Sequence, residues 1–313
     1  CWVRSQGGCN FTSSKTTGTA ISMSGTATGG TSGGGWPGGI NGDNAGAGYM
    51  STIKADGGGD VQMTGASVWW DMILTSINVY ATTGDIYYNG GNDGILFAHQ
   101  GPQVTGGATS ADSSADVFIT GDVYYDDGAT NTFNTTGKVS IVPASDSFSA
   151  SYADVGTNTV FNGVSGFTWG KSTNATAITF SMQPVVSGPI NIIAGDVTPN
   201  KGLISSGTSS GILVKSKGTI TTTAGINATT GATKFTTTGG PITLWAGSDG
   251  SGSIALPNFT GIDSNSAGAA GGTTGGGAIT LGGNTTATAG DANKPAGPVV
   301  TASGTAISLG TST

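Results

Sequence analysis

Side chains able to do chemistry are scarce in this chain, and their spacing limits what they could do. The one histidine, His99, follows Ile95, Leu96 and Phe97 at the end of an apolar run. A Ser/His/Asp relay would have to use it. Asp126 and Asp127 form the best carboxylate pair for acid–base work, yet neighbours on a strand face opposite ways. All 17 acidic residues are Asp, with no Glu, and Arg4 is the one arginine. The grouped charges that cleavage of a polysaccharide needs on one surface are missing, so the chain is expected not to be an enzyme.

Metal and redox chemistry are equally thin. GGNDG at 90–94 supplies half of the glycine-rich nonapeptide that binds Ca²⁺ in β-rolls, but Gly-Gly-x-Gly-x-Asp is not completed. Turn formation alone accounts for Asn-Asp-Gly. No metal or cofactor is expected, and Ca²⁺ is the one ion the residues admit. Cys1 and Cys9 are close enough to close a small terminal loop as a disulfide in a secreted protein. The alternative is that Cys1 is the lipidated first residue of a bacterial lipoprotein.

Binding chemistry falls to the aromatics. Trp36 sits in a long glycine loop, TSGGGWPGGINGDNAGAG, and Trp69 and Trp70 open an apolar run in which one indole faces the core and the other faces out. GDIYYNG at 84–90 is echoed by GDVYYDDG at 121–128. Stacked as neighbouring strands, the echoes would bring Tyr87 beside Tyr124 and Tyr88 beside Tyr125, about 4.8 Å apart. Trp36, Trp70, Tyr88 and Tyr125 are the expected ligand contacts.

The elements that must carry these residues are short strands between glycine turns. In GGPITLWAG at 239–247, Ile242, Leu244 and Ala246 share one face, with Thr243 and Trp245 on the other. Similar phrases recur at 188–195 (GPINIIAG), 211–215 (GILVK) and 276–282 (GGAITLG), at uneven intervals. Gly reaches 58 of 313 residues with no Gly-X-Y period, and 35% hydrophobic residues argue against disorder. Frequent turning around a packed core is left. We therefore expect a β-solenoid body over 49–313, after an irregular Gly-rich segment over 1–48 that caps the body or contacts another subunit. Each coil of such a body packs on its neighbours.

SSGILVKSKGTITTTAGINATTGATKFTTTGGPITLWA and GGAITLGG resemble the repetitive passages of filamentous-haemagglutinin-like bacterial adhesins and exoproteins, best over 188–290. The resemblance implies an elongated right-handed parallel β-helix with irregular coils and loop excursions. It also implies an extracellular or cell-surface location and a role in attachment. The paired Trp and the GD-aromatic-aromatic echoes are not part of that family's usual repeat.

A net charge of −7 and a pI near 4.3 argue against nucleic acid, which needs clustered Lys and Arg. Lys215 and Lys217 read as a solubilising surface pair. No stretch approaches the roughly 20 apolar residues of a membrane-spanning helix. The partners expected are glycans or the surface of a host or neighbouring cell, with copies of the chain joining through the solenoid ends as the alternative, giving an extracellular filament or sheath. Two further alternatives stand behind these. One is a polysaccharide-active β-helix enzyme; the other is an ice- or surface-binding threonine ladder through Thr219, Thr221, Thr223, Thr236 and Thr238. Sequons at Asn10, Asn134, Asn174, Asn227, Asn258 and Asn284 permit glycosylation. An end at SLGTST with no capping signal favours a piece of a longer protein.

Overall fold

The computed structural model describes residues 10–27, 38–41, 51–68, 70–97, 102–126, 129–149, 152–155, 158–222, 234–249, 252–255, 261–264, 277–282, 284–286, 299–301 and 307–309. Strands dominate these residues, and no α-helix occurs among them. The chain divides into two compact units, Cys1–Ser165 and Gly166–Thr313, each a parallel β-solenoid. No helix of the described residues is long and apolar enough to cross a membrane.

The first unit runs through β1 (Asn10–Ser13), β2 (Thr19–Thr26), β3 (Gly38–Asn41), β4 (Ser51–Ala55), β5 (Asp60–Ala66), β6 (Trp70–Leu74), β7 (Ile77–Ala81) and β8 (Ile86–Asn89). It continues with β9 (Ile95–Phe97), β10 (Gln103–Gly106), β11 (Val117–Thr120), β12 (Tyr124–Asp126), β13 (Asn131–Asn134), β14 (Lys138–Val142), β15 (Tyr152–Val155) and β16 (Thr159–Asn162). Strands pair with the third strand along, always in parallel. Sheet A is β1-β4-β7-β10-β13-β16, sheet B is β2-β5-β8-β11-β14 and sheet C is β3-β6-β9-β12-β15. Three strands thus make one coil. The boundary expected at residue 48 does not mark a change of architecture, because β1, β2 and β3 already pair with β4, β5 and β6 as a solenoid coil.

The second unit comprises β17 (Gly166–Gly170), β18 (Ile178–Phe180), β19 (Val185–Val186), β20 (Ile190–Ala194), β21 (Val197–Pro199), β22 (Leu203–Thr208), β23 (Ile212–Ser216) and β24 (Ile220–Thr221). After these come β25 (Lys234–Thr238), β26 (Ile242–Trp245), β27 (Ser253–Ala255), β28 (Gly261–Asp263), β29 (Ile279–Gly282), β30 (Asn284–Thr286), β31 (Val299–Thr301) and β32 (Ile307–Leu309). Its sheet D is β17-β20-β23-β26-β29-β32, sheet E is β18-β21-β24-β27-β30 and sheet F is β19-β22-β25-β28-β31.

The recurring phrases are the rungs of sheet D. Ile190, Ile212, Ile242 and Ile279 are successive register partners, as are Ile192, Val214, Leu244 and Leu281. All eight are at most 5% exposed. Burying one such side chain contributes about 1.5–3 kcal/mol, so these two rows are the main cohesive element of the unit. Around GGPITLWAG, Gly239 and Gly247 have φ of +79° and +65°, a backbone that side-chain-bearing residues rarely adopt. Those two turns release the chain from sheet D on either side of β26. Ile242 and Leu244 point inward and Trp245 is 43% exposed, as the alternation requires.

Aspartate does the corresponding work in the turns. Asp60 Oδ1 accepts the amide N–H of Asp85 at 3.0 Å, Asp85 Oδ1 that of Asp116 at 3.2 Å and Asp116 Oδ1 that of Lys138 at 2.7 Å. Asp122 does the same for Ser145 and Asp196 for Thr219. Each carboxylate accepts a backbone N–H of the next coil, and for Asp60, Asp85, Asp116 and Asp196 this lies at or just before the start of a strand.

Candidate binding surface

Asp71 organises the turn from which the first surface is built. It is 2% exposed; its Oδ1 accepts the N–H of Ser67 at 2.7 Å, and its Oδ2 those of Gly91, Asp93 and Gly94 at 2.6, 3.1 and 2.9 Å. The GGNDG turn considered for Ca²⁺ therefore wraps its N–H donors around a protein carboxylate. A cation needs oxygens there instead. Burial, then the charge of Asp71, pushes the Asp93 carboxyl above its ordinary value. Among the described residues no group of three or more His, Cys, Asp or Glu is placed to hold a metal.

Next to Asp71, Trp70 is half-buried at the start of β6. Its ring stacks on Tyr125 of β12, with centroids 6.0 Å apart and planes 27° apart. β9 lies between β6 and β12, and Ile73, Leu96 and Tyr125 share one register row. Tyr124, the preceding residue, is 2% exposed and points inward, so the row of Tyr125 faces out. Ile73 and Leu96 on that outer row are nonetheless only 2% and 1% exposed. Two strand spacings separate β6 from β12, about 9.6 Å. The two rings meet all the same, and both residues stay half-exposed. Two of the expected contacts, Trp70 and Tyr125, are brought together in this way.

Tyr88 is not part of the surface. It is fully buried in sheet B beside Met63 and Ile119, its register partners, and its hydroxyl lies 2.9 Å from Thr105 Oγ1. Burial pushes its phenol far above the ordinary value, and burial does the same to Tyr124. The expected tyrosine stacking is corrected with it, because β8 and β12 belong to different sheets. Tyr87 stacks on Phe118 instead, with centroids 5.0 Å apart and planes 11° apart. The two buried tyrosines each meet Phe97, Tyr88 edge-on at 5.5 Å and Tyr124 tilted at 5.1 Å.

The Tyr87–Phe118 pair was not foreseen from the sequence. Both residues are half-buried on the outer face of sheet B, and Tyr87 Oη donates to Asp85 Oδ2 at 3.1 Å. Burial, the Asp85 hydrogen bond and the charges of Asp85, Asp60 and Asp116 raise the Tyr87 phenol, which keeps it a neutral hydrogen-bonding group. The usable signal was strand parity: with Ile86 inward, Tyr87 must face out. Trp36, Cys1, Cys9, His99, Trp69 and Asp127 lie outside the described residues. Asp126 is buried and accepts a hydrogen bond from the Thr159 hydroxyl.

The remaining surface readings are narrowed. Thr221 belongs to sheet E while Thr236 and Thr238 belong to sheet F, so these threonines do not share one face; Thr223 lies outside the described residues. Asn134 and Asn174 are 7% and 0% exposed and their amide nitrogens donate to backbone carbonyls, which closes both sequons in the folded chain. No family model, curated protein or solved structure matches the chain.

Proposed function

We propose that the protein is a non-catalytic adhesin, secreted or displayed at a bacterial cell surface, that grips glycans through aromatic side chains on the outer faces of its coils. The observation that carries this reading is the Trp70–Tyr125 stack. Two half-exposed side chains 55 positions apart (125 minus 70), from strands of one parallel sheet, stack on each other. Such rings offer an apolar face to the C–H side of a sugar while their polar atoms stay hydrated. The Tyr87–Phe118 pair adds a second flat surface beside Asp85, whose carboxylate can accept sugar hydroxyls. The all-β parallel solenoid also agrees with the resemblance to filamentous-haemagglutinin-like adhesins.

A glycan array probed with the wild type and with Trp70→Ala, Tyr125→Ala and Tyr87→Ala tests the reading. Binding by the wild type and a loss of about tenfold or more in one or more variants is expected, equivalent to about 1.4 kcal/mol. Circular dichroism would confirm that the variants stay folded. A folded wild type that binds no glycan and no cell surface overturns the proposal.

A further inference from the structure

The net charge of −7 hides a division between the two units. Residues 1–165 hold four Lys or Arg and thirteen Asp, a balance of −9, whereas residues 166–313 hold six Lys and four Asp, a balance of +2. An acidic ligand that the first unit repels therefore meets no such field at the second.

The outer face of sheet D presents the means to hold one. Trp245 is 43% exposed, a level no other described aromatic residue exceeds. On β23 its register partner is Lys215, whose Nζ lies 4.6 Å from the ring centroid. On β29 its partner is Gly282, so no side chain stands on that flank of the indole, and even a Cβ there would only touch the ring edge at 3.5 Å. The neighbouring outward row supplies Thr243 and Thr280, both half-buried, as hydroxyl partners, and the half-buried Leu213 separates them from Asn191. An aromatic platform open on one flank, a cation at its other side and two neighbouring hydroxyls make a set suited to an acidic sugar.

We propose that this face of the second unit is a binding site for a carboxylate-bearing pyranose, such as a uronic or sialic acid residue of a glycan. The sugar ring lies on the exposed part of the Trp245 indole and its carboxylate pairs with the Lys215 ammonium. An exposed cation–π contact is weak, so the ammonium can turn from the ring to the carboxylate at small cost. Thr243 and Thr280 then meet ring hydroxyls. This inference rests on the glycan-adhesin reading but uses a separate surface.

The test is titration of the whole protein with oligogalacturonate, with its methyl ester and with sialyllactose, followed by tryptophan fluorescence and calorimetry. Binding of at least one acidic probe is expected, together with at least tenfold weaker binding in Trp245→Ala. Lys215→Gln is expected to remove the preference for oligogalacturonate over its ester where that is the probe bound, or to weaken sialyllactose binding at least fivefold. Added salt should weaken the acidic probe alone, and Trp70→Ala should leave its affinity unchanged. Absence of binding by both acidic probes, or binding indifferent to Trp245→Ala and Lys215→Gln, overturns the inference. Glycan-array binding that depends on Trp70 or Tyr125 would then still stand, which separates failure here from failure of the adhesin reading.

Discussion

Tyr88 and Tyr124 carry hydroxyls into the interior, and each finds a buried polar partner: Thr105 for Tyr88, and the Asn131 amide, 3.0 Å away, for Tyr124. Burial raises both phenols above their ordinary value of 10.0. In the unfolded chain they ionise near that value, so above it the unfolded state holds fewer protons than the folded one. Stability is therefore full below about pH 10 and falls as pH rises further, by about 1.4 kcal/mol per pH unit for each phenol. A tyrosinate absorbance titration should show two phenols that ionise only as the circular dichroism of the strands collapses. Two-step ionisation with the strands intact would contradict the burial. The phase of these tyrosines was the hardest residue-level feature to read. GDIYYNG buries its second tyrosine and GDVYYDDG its first, because Asp85 leads directly into β8 whereas Val123 still belongs to the turn before β12. Sequence likeness suggested one phase for both, and the turn set two.

At the scale of single strands, β26 was legible because its alternation is clean and glycine marks both ends. Two substitutions one residue apart measure how much the inner and outer faces contribute. Leu244→Ala empties a fully buried rung between Val214 and Leu281 and should cost about 2–5 kcal/mol. Trp245→Ala removes a larger side chain, but an exposed one with Lys215 over its ring, and should cost less than Leu244→Ala does. Urea denaturation of both variants decides it, and equal losses would mean that the register of sheet D is wrong. What alignment of phrases could not supply was the capping by aspartate. Gly-Asp or Ala-Asp before a β-branched residue recurs at Asp60, Asp85, Asp116, Asp122 and Asp196. Its meaning depends on a partner one coil away, 25 residues from Asp60 to Asp85 but 31 from Asp85 to Asp116. Because coil length varies, no fixed period exposes the pairing. A short carboxylate reaching one rung also gives a physical reason for Asp in these turns where Glu would overshoot.

For the molecule as a whole, composition was enough to reach the fold class, since abundant Gly, Thr and Ser with recurrent β-branched residues leave little besides a coil that turns often. The division after Ser165 had no comparable signal, because glycine-bounded strands continue through it, and only the charge balance changes near that point. A solenoid distributes its stability in a particular way: each coil gains chiefly from the coils above and below, so a defect is felt by near neighbours and fades with distance. Hydrogen exchange measured peptide by peptide can read this. Leu244→Ala should speed exchange of backbone amides in β23, β26 and β29, while those of β8, β11 and β14 keep their rates. Val117→Ala, which thins the fully buried row of Ile86, Val117 and Val139, should do the reverse. Each effect should amount to tenfold or more in the affected strands if the local loss is about 1.4 kcal/mol or greater. Should either substitution accelerate all the strands equally, the units would be unfolding as one cooperative body, and the coil-by-coil account of stability would have to be given up.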